Sequence, residues 1–205
     1  MSHAHRIVRA AVAVGVIVAA VGSLLAVGAA PAGAHAIVEL QDVDAVVGRT
    51  SAMTLEIQHG CITGGGGTVG VVATFGTPFG AVTAGAVPGW TAAVAPGASG
   101  GSAASGPTVT WTTTGAAQPF STPLYLPLTV RWPSRPGAYG IAVSQTCSDP
   151  TEETVWETPI QPATVGVPSP PVTPLATVCV LPKRLAQAES AQRERAVQRI
   201  CATVR

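Results

Sequence analysis

Residues 52–58 read Ala-Met-Thr-Leu-Glu-Ile-Gln, so that from Met53 onward apolar and polar side chains alternate. A period of two is typical of a β-strand with one buried and one exposed face. Further short β-prone stretches, bounded by turn residues, occur at 37–40, 69–75, 90–94, 108–112, 125–132, 139–143, 155–160 and 173–180. Because no helical pattern separates them, the sequence predicts an all-β sandwich of about seven to nine strands.

The composition bounds the class of protein. The chain has 205 residues, of which 47% are hydrophobic and 10% charged, so it can bury a core and is not a disordered polyelectrolyte. The net charge of +1 argues against a nucleic-acid-binding protein. The charge is uneven, since residues 35–182 carry three basic and eight acidic side chains, whereas 183–205 carry six and two. We expect an acidic domain at 35–182 and a basic helical tail at 183–205, a stretch free of glycine and proline.

The first 34 residues have the pattern of a secretory signal peptide. A short basic segment is followed by an apolar run over 10–30, and Ala32-Gly33-Ala34 places small residues where signal peptidase cleaves. We predict cleavage before His35 and an extracytoplasmic or secreted product that does not span the membrane. The alternative is an uncleaved anchor, because the apolar run is long enough to cross a bilayer.

Cleavage at this position would make His35 the first residue of the mature protein. Its α-amine and its ring Nδ1 can chelate one metal ion, since their pKa values of about 8 and about 6.5 are low enough for a metal ion to displace the proton from each near neutral pH. Nitrogen donors of this kind favour Cu(II) among the first-row divalent ions. His35 is therefore a candidate copper ligand.

Several segments, read in order, resemble the YcnI-like copper-binding domain family. The matching pieces are AHAIV at 34–38, LEIQHGC at 55–61, PGW at 88–90, VTW at 109–111, PG at 136–137, QTCSD at 145–149 and VWETP at 155–159. The resemblance implies an immunoglobulin-like sandwich that holds one Cu(II) through His35, with Trp156 close to the metal. The acidic run of the family falls on residues 124–126, which contain no carboxylate. Tyr125, a carboxylate from elsewhere or water would then supply the third ligand.

The four cysteines form no Cys-x-x-Cys pair, which argues against a zinc or redox motif. In an exported chain they predict two disulfides, for which the sequence alone allows three pairings. The resemblance favours Cys61–Cys147 together with Cys179–Cys201, and the second bond would tie the tail to the last strand.

The expected function is extracytoplasmic binding of Cu(II) for sequestration or delivery, without catalysis. The expected partners are the copper ion and a membrane copper transporter or chaperone. One alternative is a metal-free secreted sandwich for cell-surface or protein interaction. Another is a copper oxidase acting on polysaccharide, which needs a second histidine. The candidate for that role, His59, stands beside Cys61 at a strand end, where a structural role is expected.

Overall fold

Two antiparallel β-sheets share one hydrophobic core in the computed structural model, which describes residues 35–61, 66–97, 105–151, 153–160 and 173–204. The predicted signal peptide, 1–34, lies outside the described residues. The strands are β1 Ala36–Glu39, β2 Thr50–Ile57, β3 Thr68–Phe75, β4 Val82–Ala84, β5 Trp90–Ala95, β6 Thr108–Thr113, β7 Leu124–Arg131, β8 Gly137–Cys147, β9 Glu153–Trp156 and β10 Ala176–Val180. No helix among the described residues is long and apolar enough to cross a membrane.

The four-stranded sheet has the order β1-β2-β7-β4 and contains the stretch that predicted the fold. Within β2, Met53, Leu55 and Ile57 are buried, whereas Glu56 is only partly covered. The pairing of Ala36 with Ile57 and of Leu124 with Ile57 carries the same alternation into β1 and β7. One face of this sheet therefore lines the core and the other faces outward.

The six-stranded sheet has the order β10-β8-β3-β6-β5, and β9 also pairs with β8. The 11-residue strand β8 is long enough for two partners on one edge. Its first half pairs with β10 and its second half with β9. The backbone N–H of Thr158 donates to the carbonyl of Thr173, and the carbonyl of Thr158 accepts a hydrogen bond from Leu175. The residues that follow β9 are therefore paired with the residues that precede β10.

The predicted sandwich is confirmed, but it has ten strands among the described residues instead of seven to nine. Each predicted stretch corresponds to a strand. The additional strand is β4, whose three residues are too few to produce an alternation that can be recognised in sequence.

The basic tail is not one continuous helix. A 3-10 turn at Lys183–Leu185 is followed by the helix α1, Ser190–Ile200. Leu185 and Ala196 are buried, and Val204 forms a parallel bridge with Ala138 of β8. The tail is thus folded against the sandwich.

Both expected disulfides are present. Cys61, just beyond β2, is bonded to Cys147 at the end of β8, with a Cα–Cα distance of 5.7 Å, so this bond joins the two sheets. Cys179 of β10 is bonded to Cys201 directly after α1. The Cys61–Cys147 bond closes a sequence separation of 86 residues, and the chain-entropy model assigns about 4–5 kcal/mol of stabilisation to a loop of this length.

Candidate metal centre

His35 continues the β1–β2 ladder by one residue. Its carbonyl accepts a hydrogen bond of 3.2 Å from the backbone N–H of Gln58. Since Ala36 pairs with Ile57 and is buried, alternation places the half-buried side chain of His35 on the outer face of the four-stranded sheet. The candidate ligand is therefore held by backbone pairing at one end of an edge strand.

Two carboxylates occupy the same outer face as His35. Glu56 pairs with Ile37, and Glu39 pairs with Thr54, so each carboxylate comes from a different strand. In this register Glu56 is a diagonal neighbour of His35, a placement that separates Cα atoms by about 7–8 Å and is within reach of long side chains. Glu56 was not singled out in the sequence. The available signal was its polar position in the alternating stretch 52–58, but only the register of β1 identifies its neighbours.

The surroundings of Glu56 disfavour its negative charge. Partial burial raises the pKa of this carboxyl above its ordinary value, and the adjacent charge and hydrogen bonding of Glu39 raise it further. Ionised Glu56 is thus held next to a second carboxylate in a partly desolvated place. A bound cation would relieve both effects, because an opposite charge stabilises the ionised form.

Tyr125 lies on this outer face as well, but farther from His35. It pairs with Glu56 across the β2–β7 ladder and its side chain is 51% exposed. Because β2 lies between β7 and β1, Glu56 is closer than Tyr125 to His35 in the register. Among the substitutes expected for the missing carboxylate, the arrangement favours a carboxylate from elsewhere over the phenol.

Trp156 lies on the core side of the sandwich. It pairs with Val143, is fully buried, and belongs to the same hydrophobic cluster as Ala36, the neighbour of His35. Alternation places the His35 ring on the opposite side of the four-stranded sheet. The burial of Trp156 favours a packing role, and the strand register brings Glu56 to the face that carries His35.

His59 is engaged in the structure near the Cys61–Cys147 bond, as expected from its position. Its ring stacks on Phe120 with centroids 5.4 Å apart, and its carbonyl accepts a hydrogen bond of 3.3 Å from Gln145 Nε2. The same amide of Gln145, which is fully buried, also donates to Thr68. Within the described residues, His59 Nδ1 is buried without a hydrogen-bond partner. These contacts favour a structural role for His59.

The donor set around His35 fits Cu(II) in kind, although it is small. Within the described part of the chain, no three His, Cys, Asp or Glu side chains converge as a preformed metal site. A copper site here would need the free α-amine of His35 in addition to the ring nitrogen and the carboxylate of Glu56. Amine, imidazole and carboxylate donors suit Cu(II), whereas a site built only from side chains is not present in this region.

A separate cavity of about 620 Å³ opens between β4 and β5, where Phe79, Val82, Val94 and Pro107 contribute to its lining. These strands are the sheet edges opposite β1 and β10. The cavity is therefore on the far side of the sandwich from His35, and it is not part of the candidate metal centre.

The fold has a counterpart among solved structures. The chain resembles an uncharacterized protein from Nocardia farcinica whose crystal structure has an immunoglobulin-like fold, with a TM-score of 0.54 and 21% identity over 71% of this chain and 97% of that chain. At this identity the likeness shows the fold alone, and it confirms the immunoglobulin-like sandwich. No protein-family model matches the chain, and no curated protein does.

Proposed function

We propose that this protein is an extracytoplasmic copper-binding protein of the YcnI-like type, which holds one Cu(II) through the amine and ring nitrogen of His35. The observation that supports it is the register of β1 and β2, which sets His35 diagonally beside Glu56 on one exposed sheet face. Glu56 is proposed as the third ligand in place of the carboxylate missing from 124–126. The signal peptide and extracytoplasmic location belong to the proposal, and the two disulfides are typical of such a protein.

The proposed role is sequestration or delivery of copper without turnover. The ligands lie on an outer sheet face, so a membrane transporter or chaperone can approach the ion directly. An oxidative copper enzyme would need a second histidine beside His35. His59, the other described histidine, is stacked on Phe120 and has its Nδ1 buried, which argues against that role.

The first test is the mass of the exported protein. The proposal requires a chain that begins at His35, and any other N-terminus removes the amine chelate. The second test is a Cu(II) titration followed by EPR, in which hyperfine coupling to two nitrogen donors is expected at one equivalent of copper.

One variant and one modification separate the contributions of the amine and the ring. His35→Ala removes the imidazole, whereas acetylation of the mature N-terminus keeps the imidazole but blocks the amine. Both changes are expected to abolish the tight site, while His59→Gln, the control, retains it. If acetylation leaves the affinity unchanged, the amine is not a ligand and the proposed site is wrong.

A further inference from the structure

The basic tail is fixed to the sandwich at three places. The Cys179–Cys201 bond holds the end of α1, Val204 bridges to Ala138, and Arg193 Nη1 donates to Asp44 Oδ2 at 3.3 Å. Copper binding at His35 requires none of these contacts. The proposed copper site therefore does not explain why the tail is fixed to the sandwich.

A groove of about 360 Å³ lies between the 3-10 turn and α1. Its lining consists of Arg184, Leu185, Gln192, Ala196, Arg199 and Ile200. Leu185 and Ala196 are buried and form its apolar part, whereas Arg184 and Arg199 are exposed. The groove thus combines two guanidinium groups, contributed by two different elements, with one side-chain amide.

Among the described residues, no carboxylate lines the groove beside the two arginines. The side chain of neither arginine makes a hydrogen bond or ion pair with a described residue. The ion pair found among the described residues uses Arg193 instead, on the flank of α1 that faces the sandwich. The tail acids Glu189 and Glu194 are exposed and lie outside the groove lining. Two like charges therefore line one groove without an acidic partner among the described residues.

We propose that this groove, which we call the arginine groove, binds a phosphate group. A guanidinium presents parallel N–H donors that match phosphate oxygens, and a doubly charged anion offsets two unpaired cations. Gln192 adds an amide donor, and the apolar part of the lining excludes water from one side of the anion. The Cys179–Cys201 bond holds the two elements that carry the arginines close together, which lowers the entropic cost of bringing both guanidinium groups to one anion.

The phosphate group can come from free inorganic phosphate or from the headgroup of an anionic lipid. Both present the same chemistry to the arginines, so the proposal concerns the phosphate group and the experiment separates the two sources. The proposal does not rest on copper binding and stands if the metal site fails.

The test is a titration of the purified protein with inorganic phosphate at constant ionic strength, followed by NMR signals of the arginine Nε–H groups. Saturable shifts are expected for Arg184 and Arg199. Arg184→Gln and Arg199→Gln are each expected to weaken binding by roughly tenfold or more, since each removes charge-assisted hydrogen bonds. Both side chains are exposed, so circular dichroism and thermal unfolding should be unchanged in the variants.

Arg195→Gln is the matched control. It removes the same charge from an exposed position of α1 that does not line the groove. Less than about a twofold change is expected, because an exposed charge at a distance is screened by salt. An equal loss of phosphate affinity in Arg195→Gln and Arg199→Gln would show that the anion is attracted only by the overall charge of the tail. That result would overturn the proposed site, and so would NMR shifts that never saturate.

Vesicles of phosphatidylcholine with and without phosphatidic acid identify the source. Binding only to the anionic vesicles, with competition by inorganic phosphate, supports a headgroup in the arginine groove. Saturable binding of inorganic phosphate without vesicle binding supports the free ion. Vesicle binding that survives Arg199→Gln would place the contact elsewhere and contradict the proposal.

Discussion

Glu39 and Glu56 are diagonal neighbours on the outer face of β1 and β2, close enough for their carboxyl groups to hydrogen-bond when one is protonated. Partial burial, together with Glu39, keeps the pKa of Glu56 above its ordinary value. At neutral pH the metal-free protein therefore holds a repulsive pair on the sheet face that carries His35. Such a pair is tolerated most readily where a cation is bound.

Replacement of Glu56 by Gln should affect stability and copper affinity in opposite directions. The metal-free variant should be more stable at neutral pH by up to about 1 kcal/mol, since the charge repulsion is partly screened by solvent. Its affinity for Cu(II) should fall by about tenfold or more, since one ligand is lost. Urea unfolding and copper titration measure the two effects. Glu157→Gln, which removes an exposed carboxylate from another part of the chain, should change neither the stability nor the copper affinity.

The same pair predicts the sign of the pH dependence. The pKa of Glu56 in the folded state lies above its ordinary value of 4.5, so the folded protein binds this proton more tightly than the unfolded chain. The stabilisation from this proton is complete below the ordinary pKa and is lost as pH rises through the folded pKa. In Glu56→Gln this contribution should vanish from unfolding curves measured across that range. If the unfolding free energy of the variant depends on pH in the same way as that of the wild type, Glu56 titrates normally in the folded protein.

Trp156→Phe should distinguish a packing tryptophan from one close to the metal. The indole is fully buried in the core, so the smaller ring is expected to cost about 1–3 kcal/mol of unfolding free energy. Copper affinity and the Cu(II) absorption spectrum should stay the same. A spectral change without much loss of stability would instead support the expectation, drawn from the family resemblance, that Trp156 lies near the ion. Trp90→Phe, at a partly exposed position, is the control for tryptophan loss.

Breaking the Cys179–Cys201 bond should release the tail and leave the sandwich folded. The chain-entropy model assigns about 3 kcal/mol to a loop of this length. In the double variant Cys179→Ala/Cys201→Ala, hydrogen exchange should increase throughout α1 and remain slow in β3 and β8. Arg193→Gln, which removes only a part-exposed ion pair, should change exchange in α1 slightly. Uniformly faster exchange would mean that the tail and the sandwich unfold together.

Gly106 allows β3 and β6 to approach each other. A Cβ atom there would overlap the backbone carbonyl oxygens of Phe75 and Gly76, so Gly106→Ala should destabilise the protein by more than about 2 kcal/mol. Gly115→Ala is the matched control, because a Cβ at that position meets open space. Thermal unfolding of the two variants measures the difference, and equal melting temperatures would contradict this account.

The sandwich could be predicted from sequence where alternation is long enough to be recognised, as in β2. The strand β8 was predicted too short, at 139–143, because its second half includes the polar residues Ser144, Gln145 and Thr146. Gln145 is buried nevertheless, since its amide finds partners in Thr68 and the His59 carbonyl. Hydrogen-bond partners of this kind come from other strands and leave no local signal.

The interruption of the tail helix follows from the short distance that the Cys179–Cys201 bond imposes, and the periodicity of the sequence does not show this distance. A continuous helix from Lys183 to Cys201 would be roughly 27 Å long. The Cα atoms of Cys179 and Cys201 are 5.7 Å apart, and the three residues between Cys179 and Lys183 cannot span the difference. The chain therefore has to turn between Leu185 and Ser190, which the absence of glycine and proline does not reveal.

For the candidate site, His35 was identified from its position after the predicted cleavage point. Glu56 became apparent only through the pairing of β1 with β2, because the two residues are 21 positions apart in sequence and meet only through strand register. A local motif reports residues on one strand. The neighbours across a sheet depend on which strands pair and in what register.

The Cys61–Cys147 bond also determines how the molecule would respond to tension. If the chain were pulled from its two ends, force would pass through the bond and bypass everything between the two cysteines. With 86 positions shielded, roughly 290 Å of chain could not be extended while the bond is intact. The strands β3 to β8 would be shielded from the applied force, and the chain would lengthen fully only after both disulfides were reduced.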